Sequence, residues 1–414
     1  MRVLLIAPAC DGTDVGESWV AHQWATGLAR HHEVTLLTYH KRGRKPAAQQ
    51  LSGVRVIEWT EPPLLGRAER LNSMLAPGYV AFYFRARKWI RRALERGERF
   101  DIVHQPVPVA MRYPSPAIGL GLNVVIGPVG GGLESPRAFA GAQDTDPWYV
   151  KLRRLDGWRL AHDPLLRRTY EQANCVLGIA PYVADKLAGH DIARLEIMSE
   201  TALTGIPAPR DRSGRSGPVR ALFVGRMVRS KGPRDLVRAM ARCADLRLRL
   251  DIVGDGPERE PCEKLAEELG IADRVAFHGR KPRAEVERFY EDADIFVFPS
   301  YREPGGNVAL EAMGHSLPLI VCDRGGPGAA TNEDCAIKLP VTTPQALAED
   351  IAAALRRLTT DEALRLKMGR AAYQHVGRTG LWEQRIALAN AIYSEVAMPA
   401  FPAGAVTPAV SLSF

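Results

Sequence analysis

The chain has 414 residues, of which 46% are hydrophobic and 25% charged, and its formal net charge is +8. That length exceeds one ordinary core and points to two domains, and the composition excludes wholesale disorder. No apolar run reaches the roughly 18 residues of a membrane span. The six cysteines are scattered without a CxxC pair, which excludes a disulfide framework or zinc site and fits a reduced, cytoplasmic protein.

In chain order, Val3–Ala7 reads as a first buried strand rather than a signal peptide, because polar residues follow at once. Trp19–His31 has helical spacing, Glu33–Tyr39 and Val54–Trp59 read as strands, and Leu71–Arg96 reads as a long helix. Asp101–His104, Asn123–Gly127 and Cys175–Ala180 are further strands. Residues 1–205 hold 26 Lys and Arg against 20 Asp and Glu, with the excess around Arg85–Arg92. That basic-aromatic stretch, and a second at Trp148–Arg154, suit an anionic membrane surface or anionic substrate, or else a solvated helix face with Trp89 and Ile90 turned inward. The excess is too modest, and lacks any accompanying motif, for nucleic acid.

A Pro, Gly, Ser and Arg-rich break at Pro207–Pro218 marks a linker. The alternation then restarts. Val219–Val224, Leu248–Val253, Val275–His278, Ile295–Phe298 and Leu319–Val321 are strands, with helices at Pro233–Arg242, Glu258–Leu269, Arg283–Ala293 and Val308–Met313 between them. Gln345–Leu358, Asp361–Val376 and Thr379–Val396 continue as helices, and a loose tail covers 398–414. Repeated strand–helix alternation predicts an α/β protein of two doubly wound, Rossmann-like domains, 1–206 and 207–379, facing a central cleft at the strands' C-terminal edges.

Three turns carry chemistry. Glu303-Pro304-Gly305-Gly306-Asn307-Val308-Ala309-Leu310-Glu311 follows a strand and opens a helix, a natural anion site bracketed by two carboxylates able to grip hydroxyls. Phosphate plus polyhydroxyl means a sugar nucleotide; the alternative is a solvated loop capping a helix. Gly225–Gly232 places Arg226 and Lys231 five apart after another strand, suited to holding a diphosphate. Ile252–Pro257 is a weaker Gly-rich turn. No GxGxxG or Walker A sequence is present and no Asp-x-Asp pair sits at the C-terminal end of a strand, so neither a dinucleotide dehydrogenase nor a catalytic metal is indicated.

Glu303–Glu311 resembles the E-x7-E signature of glycosyltransferase family 4, and the Gly225–Gly232, Val253–Pro257, Val275–Gly279, Ala293–Ser300 and Asp323–Pro327 segments fall in that family's order. The resemblance covers most of the C-terminal half and is looser before it. It implies a GT-B fold and a retaining, metal-independent hexosyltransferase that uses a nucleoside diphosphate sugar and no cofactor. Arg226 and Lys231 would bind the diphosphate, and Glu303 would meet the donor sugar near the reacting carbon. Gly305, Gly306 and Asn307 would line the donor site, Glu311 would take the ribose hydroxyls, and Gly16 would let the first loop approach the diphosphate. Domain 1–206 would bind the acceptor, completed by the helix at about 380–397.

Many family members carry a His after the strand matching Asn123–Ile126. Here Gly127-Pro128-Val129-Gly130-Gly131-Gly132-Leu133-Glu134 stands there, similar to a subgroup linked with bacterial polysaccharide assembly. Gly130, Gly131 and Glu134 are therefore acceptor or cleft candidates. His104 is another, with a satisfied structural histidine as the alternative. The implied acceptor is a glycan or lipid-linked glycan, with peripheral contact at the inner face of the plasma membrane through Arg85–Arg92. A sugar-nucleotide hydrolase or epimerase, or a non-catalytic scaffold, remains as the competing reading.

Overall fold

A computed structural model of the protein describes residues 1–61, 78–139 and 154–398. Two parallel sheets organise it. The first is built from β1 (Arg2–Ala9), β2 (Glu33–His40), β3 (Val54–Thr60), β4 (Ile102–Gln105), β5 (Val124–Val129), β6 (Cys175–Gly178) and β7 (Leu195–Ile197), in the order β3-β2-β1-β4-β5-β6-β7. The second holds β8 (Val219–Val224), β9 (Leu248–Val253), β10 (Val275–Gly279), β11 (Ile295–Phe298), β12 (Leu319–Cys322) and β13 (Ala336–Leu339), in the order β10-β9-β8-β11-β12-β13. Parallel strands need both faces covered, and Val3 to Ala7 and Ile295 to Val297 are indeed wholly buried.

In each sheet the chain runs outward from its first strand, then returns to that strand's other side. This creates a switch point between β1 and β4, and another between β8 and β11, where loops diverge and leave a crevice. The loop carrying Gly16 follows β1, and the loop carrying Arg226 and Lys231 follows β8. Glu303 follows β11, and the four-glycine segment follows β5.

Short edge strands separate sequence from structure. β7 and β13 lie at sheet edges, are three and four residues long, and are only partly buried, so they carry too little apolar pattern to read. The long basic helix is observed over Gly78–Glu95; the rest of the segment Leu71–Arg96 before Gly78 lies outside the described residues, as do 148–153 of the second basic stretch and the tail from 399. Ile90 is buried and Trp89 half-buried beneath Arg55, so both turn inward, while Val80, Phe84, Arg85, Lys88, Arg91 and Arg92 are exposed.

The linker is packed rather than loose. Arg212 is buried, and its guanidinium donates to the carbonyls of Ala293 at 2.8 Å and Tyr290 at 3.0 Å. The last helix, Trp382–Ala397, returns to the first half of the chain, where Trp382 packs edge-on against Trp19 and Trp24 at 5.9 and 5.6 Å. Its outward and return crossings lie side by side, joined by a bridge between Leu203 and Leu381.

Candidate active site

Lys231 ends a single 3-10 turn, Arg229–Lys231, after β8. The turn is fixed from beneath. Arg229 is buried, paired bidentately with Asp235 at 2.5 and 3.1 Å, and lies beside the adjoining Phe139 and Tyr301 rings at 5.9 and 5.7 Å. Gly232 then takes a left-handed φ of 73°, where a Cβ would strike the Pro299 carbonyl. Lys231 is thereby held against Glu303, the two forming an ion pair with both side chains mostly buried. Burial and the guanidinium groups of Arg226 and Arg302 push the Lys231 amine down to about 7, while the Glu303 carboxylate pulls the other way. Arg226 is exposed beside it.

The Glu303–Gly306 turn is locked by the start of the helix that follows β12, Gly325–Ala330. Gly326 N–H donates to the Glu303 carbonyl at 2.9 Å, and a Cβ at Gly325 or Gly326 would collide with the turn's backbone. Gly306, at φ 106°, caps the helix Asn307–Gly314, which carries Glu311. Glu311 accepts from the Tyr290 hydroxyl at 3.0 Å, has Arg283 at 3.8 Å, and is raised above the usual carboxylate range by burial. Asn307 is occupied: its side chain pairs with the hydroxyl of Thr201.

Across the cleft, Gly16 (φ 69°) caps the helix Glu17–Leu28. A Cβ there meets nothing within 4 Å, so dihedral strain rather than space calls for glycine. Gly131 N–H donates to the Tyr182 hydroxyl at 3.1 Å, and Gly130 is buried against Ile179. Glu134 points to solvent, paired with Lys186 at 3.1 Å, but its carbonyl accepts from Arg324 of the second half at 2.6 Å.

His104 does not line the cleft. It is wholly buried, with Nε2 at 2.5 Å from the Gly127 carbonyl and Nδ1 at 2.6 Å from the Tyr393 hydroxyl, and burial lowers it to about 4. The end of β4 is covered by the returning C-terminal helix, a long-range contact that the local pattern Asp101-Ile102-Val103-His104 does not reveal. It is the satisfied structural histidine.

The structure thus gathers Arg226, Lys231, Glu303, Gly305 and Gly306 around one turn, with Glu311 on the helix that follows. It also adds two carboxylates that the sequence did not single out. Glu200, in the crossover between the halves, lies against Gly305, where any Cβ would collide with its Oε1. Its Oε2 is buried without a hydrogen-bond partner, and burial together with Glu17 raises it to about 7. Glu17 is open to solvent yet walled by protein, which raises it too, and it accepts from Val109 N–H at 3.2 Å. Ser199-Glu200-Thr201 has no motif spacing; Glu17 had only its place after Gly16 as a signal. Among the described residues no group of three His, Cys, Asp or Glu is placed to hold a metal ion, and no helix is long and apolar enough to cross a membrane.

Two parallel-sheet, Rossmann-like domains make up a GT-B architecture. Residues 15–198 match the family model "Glycosyl transferase 4-like domain", and residues 208–375 match "Glycosyl transferases group 1". The chain belongs to the family-4-type glycosyltransferases.

It is 35% identical over 182 residues to the D-inositol 3-phosphate glycosyltransferase of Corynebacterium glutamicum, covering 42% of each chain. It is 34% identical over 227 residues to the lipopolysaccharide core biosynthesis glycosyltransferase LpsD of Rhizobium meliloti, covering 54% of this chain and 63% of that one. The matches therefore span less than two thirds of these relatives. Anabaena HepE in complex with UDP-glucose shares the fold at a TM-score of 0.56 and 15% identity, over 95% of this chain and all of that one.

Proposed function

We propose that the protein is a retaining glycosyltransferase that moves a hexose from a nucleoside diphosphate sugar to a glycan or lipid-linked glycan, in bacterial surface or exopolysaccharide synthesis. The observation that carries this reading is the buried contact between Lys231 and Glu303 on adjoining turns of β8 and β11. A cation for a diphosphate and a carboxylate for sugar hydroxyls stand there side by side. HepE binds UDP-glucose, and two relatives are named for sugar transfer to an inositol phosphate and to lipopolysaccharide core.

Arg226 and Lys231 hold the diphosphate and neutralise it as it leaves, so no resident metal is needed. Glu311, oriented by Tyr290, takes the ribose hydroxyls, and backbone amides at Gly305 and Gly306 meet the sugar. Gly16 lets the first loop approach the diphosphate. The acceptor hydroxyl attacks on the face from which the diphosphate departs, entering from the side of Gly130, Gly131 and Glu134. The exposed Val80, Phe84, Arg85, Lys88, Arg91 and Arg92 form a face suited to the anionic inner surface of the plasma membrane, where a lipid-linked acceptor would be met.

A thermal-shift panel of nucleoside diphosphates and their sugars tests the donor reading, since a ligand of the native state raises the melting temperature. Glu311→Ala and Lys231→Ala are expected to abolish transfer with the fold intact by circular dichroism. Full activity in both variants refutes it.

A further inference from the structure

The crossover from the first half to the second does more than connect. Residues 198–203 run across the Glu303–Gly306 turn, tied just after Glu200 by Thr201 to Asn307 and then by Leu203 to Leu381. Glu200 is thereby pressed against the backbone of Gly305, and glycine alone fits opposite it. From the first half two groups face it: Glu17 on the helix after Gly16, and Tyr182, whose hydroxyl holds Gly131 of the four-glycine loop. Glu303, paired with Lys231, lies two residues from Gly305. Glu200 therefore stands where the donor turn, the first loop and the glycine loop converge.

One carboxyl oxygen of Glu200 is left buried without a partner. Such an atom loses its hydration for nothing unless a ligand completes it. The neighbours available are a second carboxylate, a tyrosine hydroxyl already accepting a bond, and a glycine backbone. None is a cation, so the site does not suit a phosphate. It suits a neutral polyhydroxyl.

We propose that Glu200 contacts a hydroxyl of the hexose held at the Glu303–Gly306 turn. This rests on the glycosyltransferase reading. Its proton state is set first by burial and then by Glu17 nearby: below about pH 7 the carboxyl is neutral and can donate to the hydroxyl, and above it only accepts.

The test uses the full chain and three probe pairs: UDP with UDP-glucose, GDP with GDP-mannose, and ADP with ADP-glucose. The pair that binds the wild type is taken to calorimetry, and the quantity read is the Kd of the nucleotide sugar divided by that of the bare nucleotide. In Glu200→Ala this ratio is expected to rise about tenfold, with bare-nucleotide affinity unchanged within about twofold, as for loss of one buried hydrogen bond. Glu200→Gln restores part of the sugar affinity and removes the change in the ratio that the wild type shows between about pH 6 and about pH 8.

Thr201→Val serves as a control, since a loosened crossover moves both affinities together and leaves the ratio alone. A Glu200→Ala ratio equal to that of the wild type, or an equal weakening of nucleotide and nucleotide sugar, overturns the proposal and leaves Glu200 as a latch. A wild type that binds none of the six probes overturns the donor reading on which the proposal rests.

Discussion

Lys231 is the residue whose chemistry depends most on its surroundings. Burial and two guanidinium groups hold this amine down to about 7 against the pull of the paired Glu303 carboxylate, so its protonation is incomplete at about pH 8. A diphosphate between Arg226 and Lys231 would complete that protonation, so binding at that pH is expected to take up a proton. Calorimetry in two buffers of different ionisation enthalpy should show uptake approaching about one proton in the wild type and close to none in Lys231→Met. Equal uptake in both would place the titrating group elsewhere. At this scale the sequence was legible where charge, spacing and strand ends coincide, as at Arg226, Lys231, Glu303 and Glu311. It was silent at Glu200, whose place at the turn comes from a contact with Gly305 more than a hundred positions away. It left His104 open between cleft and core, because the element that buries it begins only at Trp382.

Among elements, the crossover segment and the donor turn form one mechanical unit. Gly305 lies against Glu200, Thr201 binds Asn307, and the turn is backed by Gly325 and Gly326. Gly305→Ala is therefore expected to destabilise the protein by about 1–3 kcal/mol, as an overpacked contact does. In the Glu200→Ala background the added methyl group has room, and the same substitution should cost close to nothing. Denaturant melts of the four proteins give the coupling directly; residues in contact couple by about 0.5–3 kcal/mol. Additive effects would mean that the carboxylate swings away freely and that the turn is not braced by it. The strand–helix alternation made the two sheets readable, because buried parallel strands are continuous apolar runs. Two of the four edge strands, β7 and β13, were not, since a short, only partly buried strand lacks that run.

For the whole molecule, chain order and packing order disagree. The helix Trp382–Ala397 follows the second sheet in sequence but belongs to the core of the first, where Trp382, Ile386, Ala389, Ile392 and Tyr393 pack with Trp24, Val3 and Leu5. Tyr393 also closes the hydrogen-bond chain through His104 to Gly127, at the foot of the four-glycine loop. Removing the ring of Trp382, which is 7% exposed, should cost about 3–5 kcal/mol by the scale of buried aromatic truncations. That loss should fall on the first half alone. In Trp382→Ala, native-state hydrogen exchange should weaken at β1, β4 and the helix Glu17–Leu28 while β8 to β12 keep their protection, because local opening energies follow the packing unit rather than the chain. Loss spread evenly over both sheets would instead mean that the halves open as one cooperative body. Protection unchanged in the first sheet would mean that this helix is an appendage, and that the cleft's geometry does not depend on the chain's return.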